Sequence, residues 1–495
     1  MHYLFPRLDK AQCSLLERLP AAIDAAHPLA SAHRRDLPRA VSDLSLQLTA
    51  ERSALSRPYW VSPRLVSAYL RYFMPWNVVR QARLLAALPL LPPTPLKRED
   101  GSLVPRLLLD AGSGPLTFVL ALWLARPQWR TMPLEVLAMD LSPHVLELGR
   151  AIFEQVAGKD SPWKIRIKRG GIENLARTGH QSDAAPWLIS AANMLNELKG
   201  EEKESRLEEI LEQCSMLMEL PDAQVLFIEP GTRLGGKTIM TLREAASAYG
   251  LKPLAPCPSV ETCPLLESRT WCHFTFDTQG APAWLTKLSE AARLQKDALS
   301  ISMLLLGVSP EGSAHPEPEV QASTSAATPD SAAGSSHKDV ARIVSAPFAV
   351  PGLRGHGRYA CTARGLALLE DAGSVPSGAL CDILWPETAC AVDKKSEALI
   401  IPMYNHEQSP RQPQTPTPKT TSTQGNRAYS EGLGAEKRQG SPLPQGKPRP
   451  AAGGLNKGTA NVAKTEEPSR PAKKQEKTTK KKAIVSKKDK SYFGK

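Results

Sequence analysis

From about residue 104 to residue 250, short apolar runs alternate with segments of helical periodicity, and this alternation restricts the fold more than any other feature of the chain. Arg106 to Leu109, Glu135 to Met139, Lys164 to Lys168, Trp187 to Ala191 and Val225 to Ile228 have the length and apolar content of strands. Leu116 to Ala125, Pro143 to Val156, Glu201 to Met218 and Met240 to Tyr249 fit helices. Strand and helix in turn predict an α/β fold with a doubly wound parallel sheet.

The first strand runs directly into a glycine-rich turn, Leu107-Leu-Leu-Asp110-Ala-Gly112-Ser-Gly114, and a helix follows. Such a turn lets backbone approach a ligand at the carboxyl edge of the sheet, where doubly wound folds bind cofactors. Taken alone it is a weak signal, because tight turns also need glycine. The second strand ends thirty residues later at Asp140, where a carboxylate can accept hydrogen bonds from ribose hydroxyls. Asn193-Met-Leu-Asn196-Glu197-Leu198 comes just after the fourth strand. Asn196 and Glu197 are candidates to contact a substrate there, with the start of a helix as the plain alternative for Glu197. Glu229-Pro-Gly-Thr232 reads as a structural turn, and Arg243 as a partner for a phosphate or for Glu229.

Composition divides the rest of the chain. The 44 Pro and 32 Gly, with aromatics at 5%, are too unevenly spread for one continuous core across 495 residues. Residues 1–95 read as a helical N-terminal region, and 96–308 as the sheet domain carrying a cysteine-rich segment at 255–274. A disordered insertion is expected at 309–337, a small C-terminal subdomain at 338–405, and a disordered Lys-rich tail at 406–495. Residues 441–495 hold fifteen Lys or Arg against four Asp or Glu, so nearly all of the net charge of +12 sits in the tail, where it suits phosphates. Arg71, Arg80 and Arg83 accompany Tyr72, Phe73 and Trp76, either as a basic aromatic surface for RNA or as an amphipathic helix with solvated arginines. No run of eighteen apolar residues occurs, and Asp9, Glu17, Asp24 and Asp36 argue against a signal peptide or an acid-poor presequence. The expectation is a cytoplasmic protein without a membrane partner; oligomeric state is left open.

Cys257, Cys263 and Cys272 are separated by five and then eight residues, and Cys361 follows after eighty-eight more. Thiolates suit zinc and iron-sulfur clusters, and Pro258 and Pro264 favour turns that aim sulfur at a common centre. The spacing matches neither a zinc ribbon nor a ferredoxin run, so buried inert cysteines remain an equal reading. Ligand identity alone does not separate zinc from a cluster. Cys13, Cys214, Cys381 and Cys390 have no motif context, and His273 and His356 are given no ligand role.

The words around these residues resemble the small-ribosomal-subunit methyltransferase-like family, whose mitochondrial members associate with the small subunit during its assembly. The resemblance is carried by Ala255-Pro-Cys-Pro258, Cys263-Pro264 and Trp271-Cys-His-Phe274. It is carried further by Tyr72-Phe-Met-Pro75, Asp110-Ala-Gly-Ser-Gly-Pro115, Asn193-Met-Leu-Asn-Glu-Leu198, Glu229-Pro-Gly231 and Tyr359-Ala-Cys-Thr362, in order over roughly residues 60 to 370. It implies a bacterial relative with a Rossmann-like class I methyltransferase sheet. It also implies a [4Fe-4S] cluster on Cys257, Cys263, Cys272 and Cys361, and the small ribosomal subunit and its rRNA as partners. Asp110, Gly112, Gly114 and Asp140 resemble an S-adenosylmethionine site more than a nicotinamide site.

One departure stands out. The family continues Gly-Pro-Gly-Thr, and this chain reads Gly114-Pro115-Leu116-Thr117. Leu116 either crowds the methionine end of the cofactor or turns inward to pack helix on sheet. The expectation is therefore weak or absent cofactor binding and an assembly or translation factor that holds rRNA. A working rRNA methyltransferase is the alternative, and a plain iron-sulfur redox protein comes last.

Overall fold

The computed structural model describes residues 3–49, 59–198, 203–266, 268–308, 338–350, 355–386 and 389–402, all within one compact unit. The expected insertion at 309–337 and the Lys-rich tail lie outside the described residues.

Among the described residues, four helices lead the chain: α1 (Lys10–Ala26), α2 (Ser31–Thr49), α3 (Pro63–Ala68) and α4 (Met74–Ala87). Asp9 starts α1 with a reciprocal capping box to Gln12, and Ser62 with Pro63 starts α3. A π-helical turn at Tyr69–Phe73 joins α3 to α4. A short hairpin, β1 (Leu96–Lys97) and β2 (Leu103–Val104), precedes the main sheet.

The alternating pattern becomes β3 (Arg106–Ala111), α5 (Thr117–Ala125), β4 (Leu134–Asp140), α6 (Pro143–Ala157), β5 (Trp163–Arg169), α7 (Leu175–His180), β6 (Ala185–Ala192), α8 (Lys203–Ser215), β7 (Gln224–Pro230) and α9 (Arg233–Ala246). There follow β8 (Leu251–Ala255), β9 (Phe274–Asp277), α10 (Ala283–Ala291) and β10 (Ala298–Val308). The strand order is β5-β4-β3-β6-β7-β10-β8. The first five of these run parallel, whereas β10 is antiparallel to β7 and to β8. The sheet is thus mixed rather than wholly parallel, and it resembles the class I methyltransferase topology in having a reversed strand near one edge. The polarity of β10 was not readable, because an apolar run has the same pattern in either direction.

Period-two alternation splits the sheet residues between two cores. Leu108, Leu226, Ile228, Met303 and Leu305 face the N-terminal helices and α5 and α6. Leu107, Leu109, Val225, Phe227, Leu304 and Leu306 face α7, α8 and α9. The N-terminal helices therefore share one core with the sheet.

That shared core also corrects the reading of the N-terminal arginines. Arg83 is 2% exposed and donates to the Asp277 carboxylate at 2.8 Å and to the carbonyls of Phe5 and Pro6. Arg71 donates to Asp24 and to the His27 carbonyl, and Tyr72 and Trp76 are buried. Neither a basic aromatic surface nor a row of solvated arginines is made by Arg71 and Arg83: Arg71 ties the π-helical turn to α1, and Arg83 ties α4 to the main sheet at Asp277.

A second sheet, with its own core, is ordered β15-β11-β13-β14-β16, with β12 beside β13. Its strands are β11 (Lys338–Ile343), β12 (Phe348–Ala349), β13 (His356–Thr362), β14 (Gly365–Glu370), β15 (Leu380–Leu384) and β16 (Leu399–Pro402). Thr275 of β9 donates to the Val344 carbonyl, which joins this sheet to the first.

Candidate functional sites

At the carboxyl ends of β3 to β6 lies a pocket of about 900 Å³, within the range of small-molecule and cofactor sites. Asp110, Gly112, Gly114 and Asp140 all line it. The turn after β3 puts Gly112 at φ 65°, Gly114 at φ 51° and Leu116 at φ 57°, so left-handed residues alternate through it. Ser113 N–H is held by the Met139 carbonyl, and the Asp140 carboxylate accepts from Gly114 N–H at 3.0 Å and Ser142 N–H at 2.9 Å. Asp140 thus binds the two loops that frame the pocket to each other.

Leu116 does not line this pocket. It is 0% exposed and lies against α6 at Gly149, where an added Cβ would come within 2.7 Å of Leu116 Cδ1 and 2.4 Å of the Pro115 carbonyl carbon. The inward alternative holds, and crowding of the pocket by this side chain is removed as an objection to a cofactor.

Asp110 is 1% exposed, and its oxygens accept from Ser113 Oγ at 2.5 Å and Ser190 Oγ at 2.6 Å. Burial pushes its carboxyl up to about 6 against the lowering effect of the two serines, with Asp140 adding a smaller upward push. Asp140 is also raised by burial, against the backbone N–H groups that stabilise its charge. These carboxyls can hold loops and accept hydrogen bonds from hydroxyls; neither is placed as a strong base.

The pocket wall after β6 is formed by Asn193, Met194 and Leu198. Asn196 is 4% exposed and lies outside the lining, and Glu197 sits in a 3₁₀ turn with Leu195 and Asn196. Glu229 is buried and accepts from Leu195 N–H at 2.8 Å, which supports the structural reading of its turn. Sequence reasoning missed the opposite wall, where Leu48, Trp60, Val61 and Tyr69 come from the N-terminal region. Arg169 and Arg206 also line the pocket and bring positive charge to it. The only advance signal for this wall was the aromatic content before α4.

The second candidate site is small. Cys257, Cys263, Cys272 and Cys361 line one cavity of about 30 Å³ together with Arg243, Arg342, Leu265 and Phe274. Ala255 pairs with Leu305, and Phe274 with Ile301, so the loop 256–273 is an excursion between two strands that share β10 as neighbour. Cys361 arrives from β13, where it stands opposite Arg342 of β11. Among the described residues, no three or more His, Cys, Asp or Glu are arranged to hold a single metal ion. The four cysteines line a common cavity. Burial raises all four; neighbouring cysteines add to this at Cys257, Cys272 and Cys361, and Glu244 at Cys263, against the lowering effect of Arg243. A donor set of thiols without carboxylate or imidazole, beside two guanidiniums, fits a soft, negatively charged group.

Arg243 corrects another expectation. It donates to Cys257 Sγ at 3.3 Å and pairs with Glu244, not with Glu229. His273 stacks on Trp271 and contacts the Trp271 carbonyl, and neither His273 nor His356 lines the cavity. Cys214 is buried in the helix-facing core, where burial pushes its thiol up to about 12.

Residues 83–284 match the family model described as mitochondrial small ribosomal subunit Rsm22. This stretch runs from α4 into α10 and is less than half the chain. No curated protein matches the sequence. Solved structures similar in part include an arsenic(III) S-adenosylmethionine methyltransferase from Chlamydomonas reinhardtii. It shares 15% identity over 41% of this chain and 64% of that one, with a TM-score of 0.25. The magnesium protoporphyrin IX methyltransferase of Synechocystis PCC 6803 with bound S-adenosylmethionine shares 13% over 48% and 84%, with a TM-score of 0.26. The CurJ carbon methyltransferase shares 16% over 61% and 70%, with a TM-score of 0.30. The chain spans about 64% of the first of these. Among the described residues, no helix is long and apolar enough to cross a membrane.

Proposed function

We propose that this chain binds S-adenosylmethionine and methylates RNA of the small ribosomal subunit. The observation that carries the reading is the inward rotamer of Leu116, which leaves the pocket above the glycine turn open. Asp140 would accept from the ribose hydroxyls, the 112–114 backbone would approach the amino-acid end, and the Trp60 and Tyr69 wall would exclude water from the reacting face. The bound cofactor supplies the activated methyl group. The match to a ribosomal family over 83–284 supports the choice of target, and the cytoplasm is the compartment we propose. The test is transfer of labelled methyl from S-adenosylmethionine to small-subunit RNA: label on that RNA, lost in Asp140→Ala, supports the reading. Binding without transfer would restore the rRNA-holding assembly factor, for which the burial of Asn196 away from the pocket is the favouring observation.

The thiol cavity belongs to the same proposal. Cys257, Cys263, Cys272 and Cys361 would hold a [4Fe-4S] cluster and thereby pin the small sheet to the main one. The support for this reading is that all four thiols line one cavity, beside the guanidiniums of Arg243 and Arg342. Metal and sulfide analysis of anaerobically purified protein decides: iron and sulfide in equal amounts support it, and stoichiometric zinc replaces it.

A further inference from the structure

The loop that carries Cys257 and Cys263 is held by one face of α9. Lys237, Met240 and the pair Arg243 and Glu244 recur at helical spacing along it. Lys237 Nζ donates to the carbonyls of Leu266 at 2.7 Å and Ser268 at 2.9 Å. Arg243 Nη2 donates to the carbonyls of Ser259, at 3.1 Å, and Glu261. Its Nε donates to Cys257 Sγ, and its Nη1 pairs with Glu244, whose Oε1 accepts from Cys263 N–H at 2.7 Å. From the small sheet, Arg342 Nε donates to the Pro256 carbonyl at 2.8 Å.

We infer that Arg243 is the positioning residue of the thiol site: it shapes the Cys257–Cys263 loop before any metal arrives and sets a fixed positive charge against the Cys257 sulfur. The second half of this statement rests on the cluster reading above; the first does not. A guanidinium stays charged at any accessible pH, and it is 7% exposed here, so little solvent screens it from the cavity. Net charge and hydrogen bonds to sulfur set the potential of a thiolate-bound cluster. Loss of this cation and its N–H···S bond disfavours the reduced state; loss of the Glu244 charge favours it.

The test uses the full chain as wild type, Arg243→Gln, Arg243→Lys and Glu244→Gln. In metal-free protein, hydrogen exchange of peptides covering 256–266 should quicken at least tenfold in Arg243→Gln, with α8 unchanged as the folding control. Unchanged exchange in the loop overturns the positioning role. In cluster-loaded protein, the reduction equilibrium should fall at least tenfold in Arg243→Gln, about 59 mV for one electron, and rise in Glu244→Gln. Arg243→Lys should recover most of the potential but not the exchange protection, since an ammonium keeps the charge and loses the fork. Shifts of the same sign in Arg243→Gln and Glu244→Gln, or no shift in either, overturn the electrostatic role. Wild type without iron sinks the cluster reading, and the exchange experiment still decides the positioning role. If Arg243→Gln fails to fold, Arg243→Lys in exchange and Glu244→Gln in potential carry the two tests.

Discussion

On its glycine-turn side the pocket above the parallel strands is shaped by backbone of two short stretches, 110–114 and 140–144, whereas the thiol cavity is assembled from side chains that arrive from α9, the loop 256–273 and two strands of the small sheet. In the first, backbone conformation and one bridging carboxylate set the shape. In the second, two buried arginines and a lysine hold a loop that has little regular structure of its own. A site built of backbone should survive most single side-chain changes nearby, while a site built of charged side chains should not. The predictions probe this contrast in order of expected effect.

Cys263→Ser should remove all bound iron, while Cys214→Ala, which trims a thiol in a separate core, should retain it. Metal analysis of both reads the outcome, and equal retention would break the ligand assignment. Leu116→Gly should cost about 1–4 kcal/mol of stability, because it empties the contact with α6 while relieving the strain of a leucine held at φ 57°. Its affinity for S-adenosylmethionine should stay within about threefold of wild type, a small change on the free-energy scale. Tenfold tighter binding would mean that Leu116 obstructs the pocket after all.

Asp110→Asn should act through pH. The Asp110 carboxyl is raised from an ordinary 3.8 to about 6. The native state therefore takes up a proton more readily than the unfolded chain, and stability is lost as pH rises from about 4 through 6. The Asn variant should melt higher than wild type at pH 8, and the advantage should shrink as pH falls through 6 and vanish near 4. A constant difference across this range would contradict the buried charge. The smallest effect concerns the tail. Deleting 441–495 should flatten the salt dependence of RNA affinity without changing target preference, because its lysines neutralise phosphates irrespective of sequence.

Much of the first site was legible because its determinants are local. Strand, glycine turn and helix follow one another between Leu107 and Ala125, and Asp140 ends the next strand. The orientation of Leu116 was not legible, since it depends on α6 passing close at Gly149. The second site was legible only in its cysteines. The helix was expected at Met240 to Tyr249, whereas α9 begins at Arg233, where Thr232 caps it, and the role of Lys237 was hidden. Arg342 carried no local signal at all. Its place opposite Cys361 comes from strand pairing in a sheet reached only after a long insertion. The cores of the sheet followed from period-two alternation, whereas buried arginines such as Arg83 follow from contacts across nearly two hundred residues.

The central claim is that the pocket above the glycine turn is competent to bind S-adenosylmethionine, and titration calorimetry of the full chain tests it most directly. The account predicts micromolar, one-to-one binding that falls at least tenfold in Asp140→Ala, about 1.4 kcal/mol, and persists in Leu116→Gly. No detectable binding by folded wild-type protein, or binding indifferent to Asp140, would contradict it.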